Sequence, residues 1–137
     1  MTSIVRTDPL RFAEAVCAGH PDRLADAVAD GIVALATARD PEALVGVEVA
    51  LHRGVVFVDG RIAAGPGPGC AVSEEEVAAV VRDAFARAGY GAAFPPAPET
   101  LEVRFDLCLG PLEPDERLFR RVADDQVIGV GYACRGH

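Results

Sequence analysis

The sequence predicts an α+β two-layer sandwich, in which a mainly antiparallel sheet carries two helices on one face. Three observations predict it. Two segments repeat apolar residues at helical spacing, each behind a capping signal. Between and after them lie short runs rich in β-branched residues, separated by Asp-Gly, Gly-Pro and Pro/Ala segments. The chain has 137 residues, 50% of them hydrophobic, which is enough for one domain (1–137) with a buried core.

The elements follow in order. Pro21–Arg39 reads as the first helix, because Leu24, Val28, Gly31, Ile32 and Leu35 recur on one face. Pro21 suits the first helical position, His20 stands where a cap stands, and Asp40-Pro41 stops the helix. Residues 44–51 (LVGVEVAL) read as a strand and 55–58 as a second. Asp59-Gly60 is a tight-turn dipeptide, which makes 61–63 the returning strand of a hairpin. GPGPG at 65–69 is a loop. Ser73 and Glu76 form a capping box for a helix over 74–88, with Gly89 as its stop. A Pro/Ala-rich loop over 91–98 leads to a strand at 101–109. A charged stretch without period follows at 113–121, then a last strand at 127–134.

Composition narrows the function classes. There are 13 basic and 21 acidic residues, leaving a net charge of −8, so the chain shows no basic face for a nucleic acid. Every basic residue is arginine, which removes a Schiff-base lysine, a lysine general base and a P-loop lysine. Tryptophan is absent and aromatics are 6%, too few for base-stacking platforms. No apolar run approaches the roughly 20 residues of a membrane span, and the N-terminus has no signal-peptide core. The expectation is a cytoplasmic protein with no membrane partner. Cys17, Cys70, Cys108 and Cys134 lie far apart without a CxxC pair, so they read as free thiols and not as a zinc site.

The chemistry concentrates at Gly19-His20-Pro21-Asp22-Arg23. A helix start attracts anions through its free amides and its dipole. A histidine there can donate to a phosphate oxygen, and an aspartate beside it can hold a magnesium ion that the phosphate shares. The plainer reading is that His20 caps the helix and Asp22 complements its dipole. Asp22, Asp26 and Asp30 form one stripe along the helix, the usual mark of a solvated face. Glu48 interrupts an apolar strand. It points either into a polar cleft or to the outward side of a half-buried strand.

The order of these motifs resembles the N-terminal domain of methionine adenosyltransferase (S-adenosylmethionine synthetase). The resemblance rests on Glu14, Gly19 to Asp22, Ala25-Asp26, Glu48, the Asp59-Gly60 hairpin, Gly89-Tyr90, Asp125-Gln126 and Gly131-Tyr132-Ala133. It runs over nearly the whole chain. That family joins the sulfur of methionine to the ribose carbon of ATP, and triphosphate departs. The resemblance implies that His20 contacts the leaving oxygens as the catalytic residue and that Asp22 holds Mg2+. Glu48 would match a ligand of a monovalent cation, K+. Glu14 would line the nucleotide or amino-acid site, and Asp125, with Gln126 beside it, would hold the amino group of methionine.

Departures from the family pattern matter as much. Arg23 stands in place of the motif's lysine, keeping charge but not point-donor geometry. Arg61 occupies the position of a glutamate that helps to hold methionine, a reversal of sign at a substrate-binding position. Asp124 and Val127 replace the glycines flanking the Asp-Gln pair, and the gating loop before them is short. The resemblance implies three similar domains in the family, and this sequence is expected to hold the first.

Two readings follow. As an enzyme subunit, the chain works with a second protein chain that supplies the missing domains, on a small-molecule substrate. As a binding or regulatory module, it keeps the fold without the chemistry. Within the first reading two reactions compete. One is S-adenosylmethionine synthesis by a split enzyme. In the other an internal amine expels sulfate or phosphate from carbon and closes a small ring such as an aziridine. An apolar sheet face around LVGVEVAL, left open in an isolated chain, is expected to demand the partner.

Overall fold

The computed structural model describes residues 15–65, 67 and 71–119. Helix α1 spans Pro21–Arg39 with His20 as its cap, and Leu24, Val28, Ile32 and Ala36 form its buried stripe. Asp40 ends the helix. Its carboxylate accepts the N–H of Glu42 and that of Gly65, tying the end of the helix to the end of the sheet.

Strands β1 (Leu44–His52) and β2 (Val55–Ala63) pair antiparallel, Val49 opposite Val58 and Glu48 opposite Asp59. The turn between them is Arg53-Gly54, with Arg53 at φ 54. This corrects the expected hairpin at Asp59-Gly60, because 55–63 is one continuous strand. Gly60 there has φ 116, and a Cβ on it would lie 2.2 Å from the Gly46 carbonyl oxygen. The glycine therefore admits a close approach between strands and does not turn the chain.

Helix α2 (Glu74–Arg87) opens with the expected capping box, both halves formed between Ser73 and Glu76. Arg39 of α1 pairs with Glu76 across the two helices. Gly31 sits where α1 meets α2, and a Cβ there would lie 2.6 Å from a methyl of Val80. Gly89 follows α2 at φ 94, as its stop signal predicts. A single turn of 3-10 helix over Pro98–Thr100 leads into β3 (Glu102–Gly110). β3 pairs parallel with β2, since the chain returns through α2. A short α3 (Glu116–Phe119) follows. The expected strand at 127–134 lies outside the described residues.

The fold is α+β, with a three-stranded mixed sheet ordered β1-β2-β3 and α1 and α2 on one face. Alternation puts Val45, Val47, Val49 and Leu51, then Val56, Val58 and Ile62, against the helices. Val28, Ile32, Val77, Val81 and Phe85 meet them from the other layer, all but sealed from water. Each such side chain contributes about 1.5–3 kcal/mol by burial.

The other face of the sheet is mainly polar, with Phe57 exposed among its charged residues. Glu48, Asp59 and Asp106 stand side by side across the three strands. Glu102 and Arg104 pair with each other along β3. The expected apolar face around LVGVEVAL is thus corrected. Its three valines and Leu51 pack against the helices, while Gly46, Glu48, Ala50 and His52 look outward.

Candidate functional site

His20 is the first residue placed by physics alone. With φ −67 and ψ 141 it is extended, and Pro21 starts the helical turn behind it. Its ring Nδ1 accepts the Asp22 backbone N–H at 3.2 Å. A neutral imidazole that accepts at Nδ1 carries its proton on Nε2. The cap therefore sets the tautomer and leaves an N–H donor pointing away from the helix start. The His20 side chain is half exposed and Asp22 is 84% exposed, and the two approach at 3.7 Å. Capping and anion donation are compatible, because they use different nitrogens.

The turn before the helix is held from outside. His20 N–H donates to the Cys17 carbonyl at 2.9 Å. The Tyr90 hydroxyl donates to the Gly19 carbonyl at 2.8 Å. Tyr90 in turn lies between Phe85 and Phe94, ring centres 5.1 and 5.0 Å away. A cleft of about 250 Å3 opens alongside, lined by Pro21, Leu24, Leu51, His52, Phe85 and Tyr90 among others.

Arg61 is spent inside the protein. Its Nε and Nη2 donate to the two carboxylate oxygens of Glu116 at 2.7 and 2.9 Å. Nη2 also reaches the Pro111 carbonyl at 2.8 Å, and Nη1 the Cys108 carbonyl at 3.2 Å. The Arg61 bond, then the Glu113 backbone N–H, lower the Glu116 carboxyl to about 2 against the effect of burial. Glu116 raises Arg61 in return, which keeps the pair charged throughout the working range. The sequence hid Glu116 because its segment has no period. Tyr90 was visible as part of Gly89-Tyr90, but nothing in the sequence showed that it reaches Gly19.

Among the described residues, His20, Glu48 and Arg61 stand on different parts of the fold. The start of α1 just after His20, with Pro21 and Leu24, shares a cleft with Leu51, His52 and Arg53 at the β1–β2 turn, which puts His20 near that end of the sheet. Arg61 lies about 20 Å along β2 from Val55 at the rise of an extended strand. Glu48 sits between these ends on the open face, opposite Asp59. Arg23 faces Asp26 at 4.0 Å and lines a different cleft, of about 540 Å3, between α1 and α2. Glu14, Asp125 and Gln126 lie outside the described residues. Among the described residues no three ligating side chains gather around one point. Asp22 offers a single carboxylate, which suits a magnesium ion shared with a substrate oxyanion and does not suit a cage built by this chain. Glu48 stands in a row with Asp59 and Asp106 on successive strands, but the three do not gather around one point.

The structure is thus an α+β domain that opens its first helix on a Gly-His-Pro-Asp turn. The family model described as S-adenosylmethionine synthetase, N-terminal domain, matches residues 9–104. The chain belongs to this family. An S-adenosylmethionine synthase of Zymomonas mobilis is 36% identical over 86 residues, covering 63% of this chain and 21% of that protein. One of Acholeplasma laidlawii is 30% identical over 129 residues, covering 88% of this chain and 32% of that protein. The solved S-adenosylmethionine synthetase of Campylobacter jejuni superposes with a TM-score of 0.58 at 27% identity, over 66% of this chain and 24% of that one. The chain thus spans between a fifth and a third of the length of these relatives. Glu14, His20, Asp22, Arg23, Glu48 and Arg61 fall inside the family match, and Asp125 and Gln126 fall beyond it. No helix among the described residues is long and apolar enough to cross a membrane.

Proposed function

We propose that this chain is one subunit of a heteromeric, S-adenosylmethionine-synthetase-like enzyme that stabilises an anionic leaving group during displacement at carbon. The observation that carries the reading is the His20 cap. It leaves an Nε2–H donor, free of partners among the described residues, at the positive end of a 19-residue helix. In the displacement a nucleophile forms a bond to carbon while the carbon–oxygen bond breaks. Its electron pair leaves on the oxyanion, and His20 donates a hydrogen bond to that oxygen as charge develops there. Asp22 would hold Mg2+ together with the departing anion, and Glu48 would face K+ at the partner's edge. A bound Mg2+ supplies charge neutralisation for a polyphosphate, phosphate or sulfate oxygen.

The nucleophile of this reading is an internal amine, not methionine sulfur. An amine that attacks the neighbouring carbon closes an aziridine, releases sulfate or phosphate, and loses its extra proton to solvent. The state of Arg61 supports the choice. The family uses a carboxylate there, whereas this side chain is an arginine engaged by Glu116 and two carbonyls. That no three ligating side chains gather around one point among the described residues supports a site completed by a second chain carrying further domains. A reducing, cytoplasmic setting agrees with Cys17 and Cys108, both unpaired.

The test is co-expression with a chain carrying the missing domains, followed by two assays on the purified complex. One measures sulfate or phosphate release from a 2-aminoalkyl ester. The other measures S-adenosylmethionine formation from ATP and methionine. The expected outcome is anion release that falls about a hundredfold in His20→Ala, the size of one lost anion donor. Robust S-adenosylmethionine turnover would restore the ordinary family reaction. A complex inactive in both assays, with His20→Ala indistinguishable from it, would leave a binding module.

A further inference from the structure

We infer that Tyr90 is a positioning residue for His20: its hydroxyl, by holding the Gly19 carbonyl, sets the turn in which Asp22 N–H donates to His20 Nδ1. Four contacts form one chain of cause. Tyr90 N–H donates to the Phe85 carbonyl at 3.0 Å, which ties Tyr90 to the last turn of α2. The Tyr90 ring packs between Phe85 and Phe94, tilted by 57° to each, which restricts the direction of its hydroxyl. That hydroxyl reaches Gly19, one residue before His20, at 2.8 Å. Gly19 eases the approach, because a Cβ there would lie 3.3 Å from Tyr90 Cε2, a tight contact that the ring would have to yield to.

The hydroxyl is the informative atom. Packing alone needs only the ring, which a phenylalanine would supply. A hydroxyl that crosses from α2 to the residue before the cap couples the two helices at the point where His20 is aimed. Fixing the Gly19 carbonyl orients the next peptide, and so the His20 backbone from which the ring projects. The inference rests on the reading that His20 serves an anion, but its structural half stands or falls separately.

The experiment uses the full chain labelled with 15N, with its partner where one co-purifies. Long-range 1H–15N spectra read the His20 ring nitrogens, and amide exchange reads Asp22 and the core of α2. In Tyr90→Phe the ring stays and only the hydroxyl goes. The expected result is a shift of the Nδ1 resonance toward a free acceptor, with exchange at Asp22 at least tenfold faster and the amides of Val81 and Phe85 unchanged. Gly19→Ala, which pushes against the ring, is expected to move Nδ1 in the same direction. An unchanged His20 ring in Tyr90→Phe overturns the inference. So does faster exchange spread evenly through α2, which would make the hydroxyl a general structural bond. Inorganic triphosphate and sulfate are then titrated into the wild-type chain. If the hydroxyl effect holds but the His20 nitrogens ignore both anions, the proposed function fails while the positioning role stands.

Discussion

The two ends of the sheet have been treated in opposite ways. At the His20 end the family's motif is kept, and its polar groups are left largely unused by the protein. His20 spends one nitrogen on its cap, and Asp22 is almost fully exposed. At the Arg61 end, where the resemblance implies a carboxylate, the side chain is consumed by Glu116 and by the carbonyls of Cys108 and Pro111. A group meant for a ligand has to keep donors or acceptors in reserve. A group that satisfies itself internally has become structure. The difference teaches that sequence position alone does not make Arg61 a substrate contact.

The largest expected effect is on the structural end. Gly60→Ala places a methyl 2.2 Å from the Gly46 oxygen in a backbone of φ 116. Strain and overpacking together should cost about 4 kcal/mol. A melting temperature within a degree or two of wild type would show that β1 and β2 can part without loss, and would weaken the claim that this end is rigid.

Next comes the restoration of the family residue. Arg61→Glu removes a fork held by Glu116 and sets two carboxylates against each other. We expect a loss of about 3 kcal/mol, seen as a drop of roughly 10 °C in the thermal transition. Pairing it with Glu116→Arg should recover part of the loss. If Arg61→Glu proved neutral in stability and raised S-adenosylmethionine formation, the contrast between the two ends would collapse.

Much of this contrast was readable before the fold was known, and the unread parts have physical causes. Helical spacing, Pro21 and the Ser73–Glu76 box placed α1 and α2 almost to the residue, because those signals are local. Asp59-Gly60 misled, since Asp-Gly serves tight turns and Gly also serves close strand contacts. Only the pairing of nine residues in register decides between them. The strand LVGVEVAL was recognised, but which of its faces met the helices depends on a layer that the sequence does not display. Glu116 and the Tyr90–Gly19 bond are contacts across 55 and 71 residues of chain, set by the tertiary fold.

Acid gives a smaller, graded effect at the structural end. Arg61 chiefly, with the Glu113 N–H, holds the Glu116 carboxyl at about 2, below its ordinary 4.5. A folded-state value below the unfolded one adds stability that is fully present above the unfolded value. That stability is lost as pH falls from about 4.5 toward 2. Denaturant titrations at several pH values should show this loss. Glu116→Gln should be less stable at neutral pH by about 2 kcal/mol and should show a flatter acid limb. Equal slopes in the two proteins would mean that Glu116 is not the group responsible.

The smallest effect on stability is the most informative about the other end. His20→Ala removes a cap and should cost about 1 kcal/mol, whereas His20→Asn supplies a preferred cap oxygen to the same Asp22 N–H. The asparagine variant should therefore melt within about 0.5 kcal/mol of wild type, since among the described residues the cap is the one hydrogen bond its side chain must replace. It cannot reproduce an imidazole N–H aimed away from the helix, because its short amide is occupied at the cap. If His20 is held in reserve for an anion, His20→Asn separates the two duties. Stability stays, and sulfate or phosphate release in the complex falls about as far as in His20→Ala. If both variants keep full turnover and only the alanine loses stability, His20 is a cap and nothing more. The two ends of the sheet would then be alike, each spending its polar side chains on the fold.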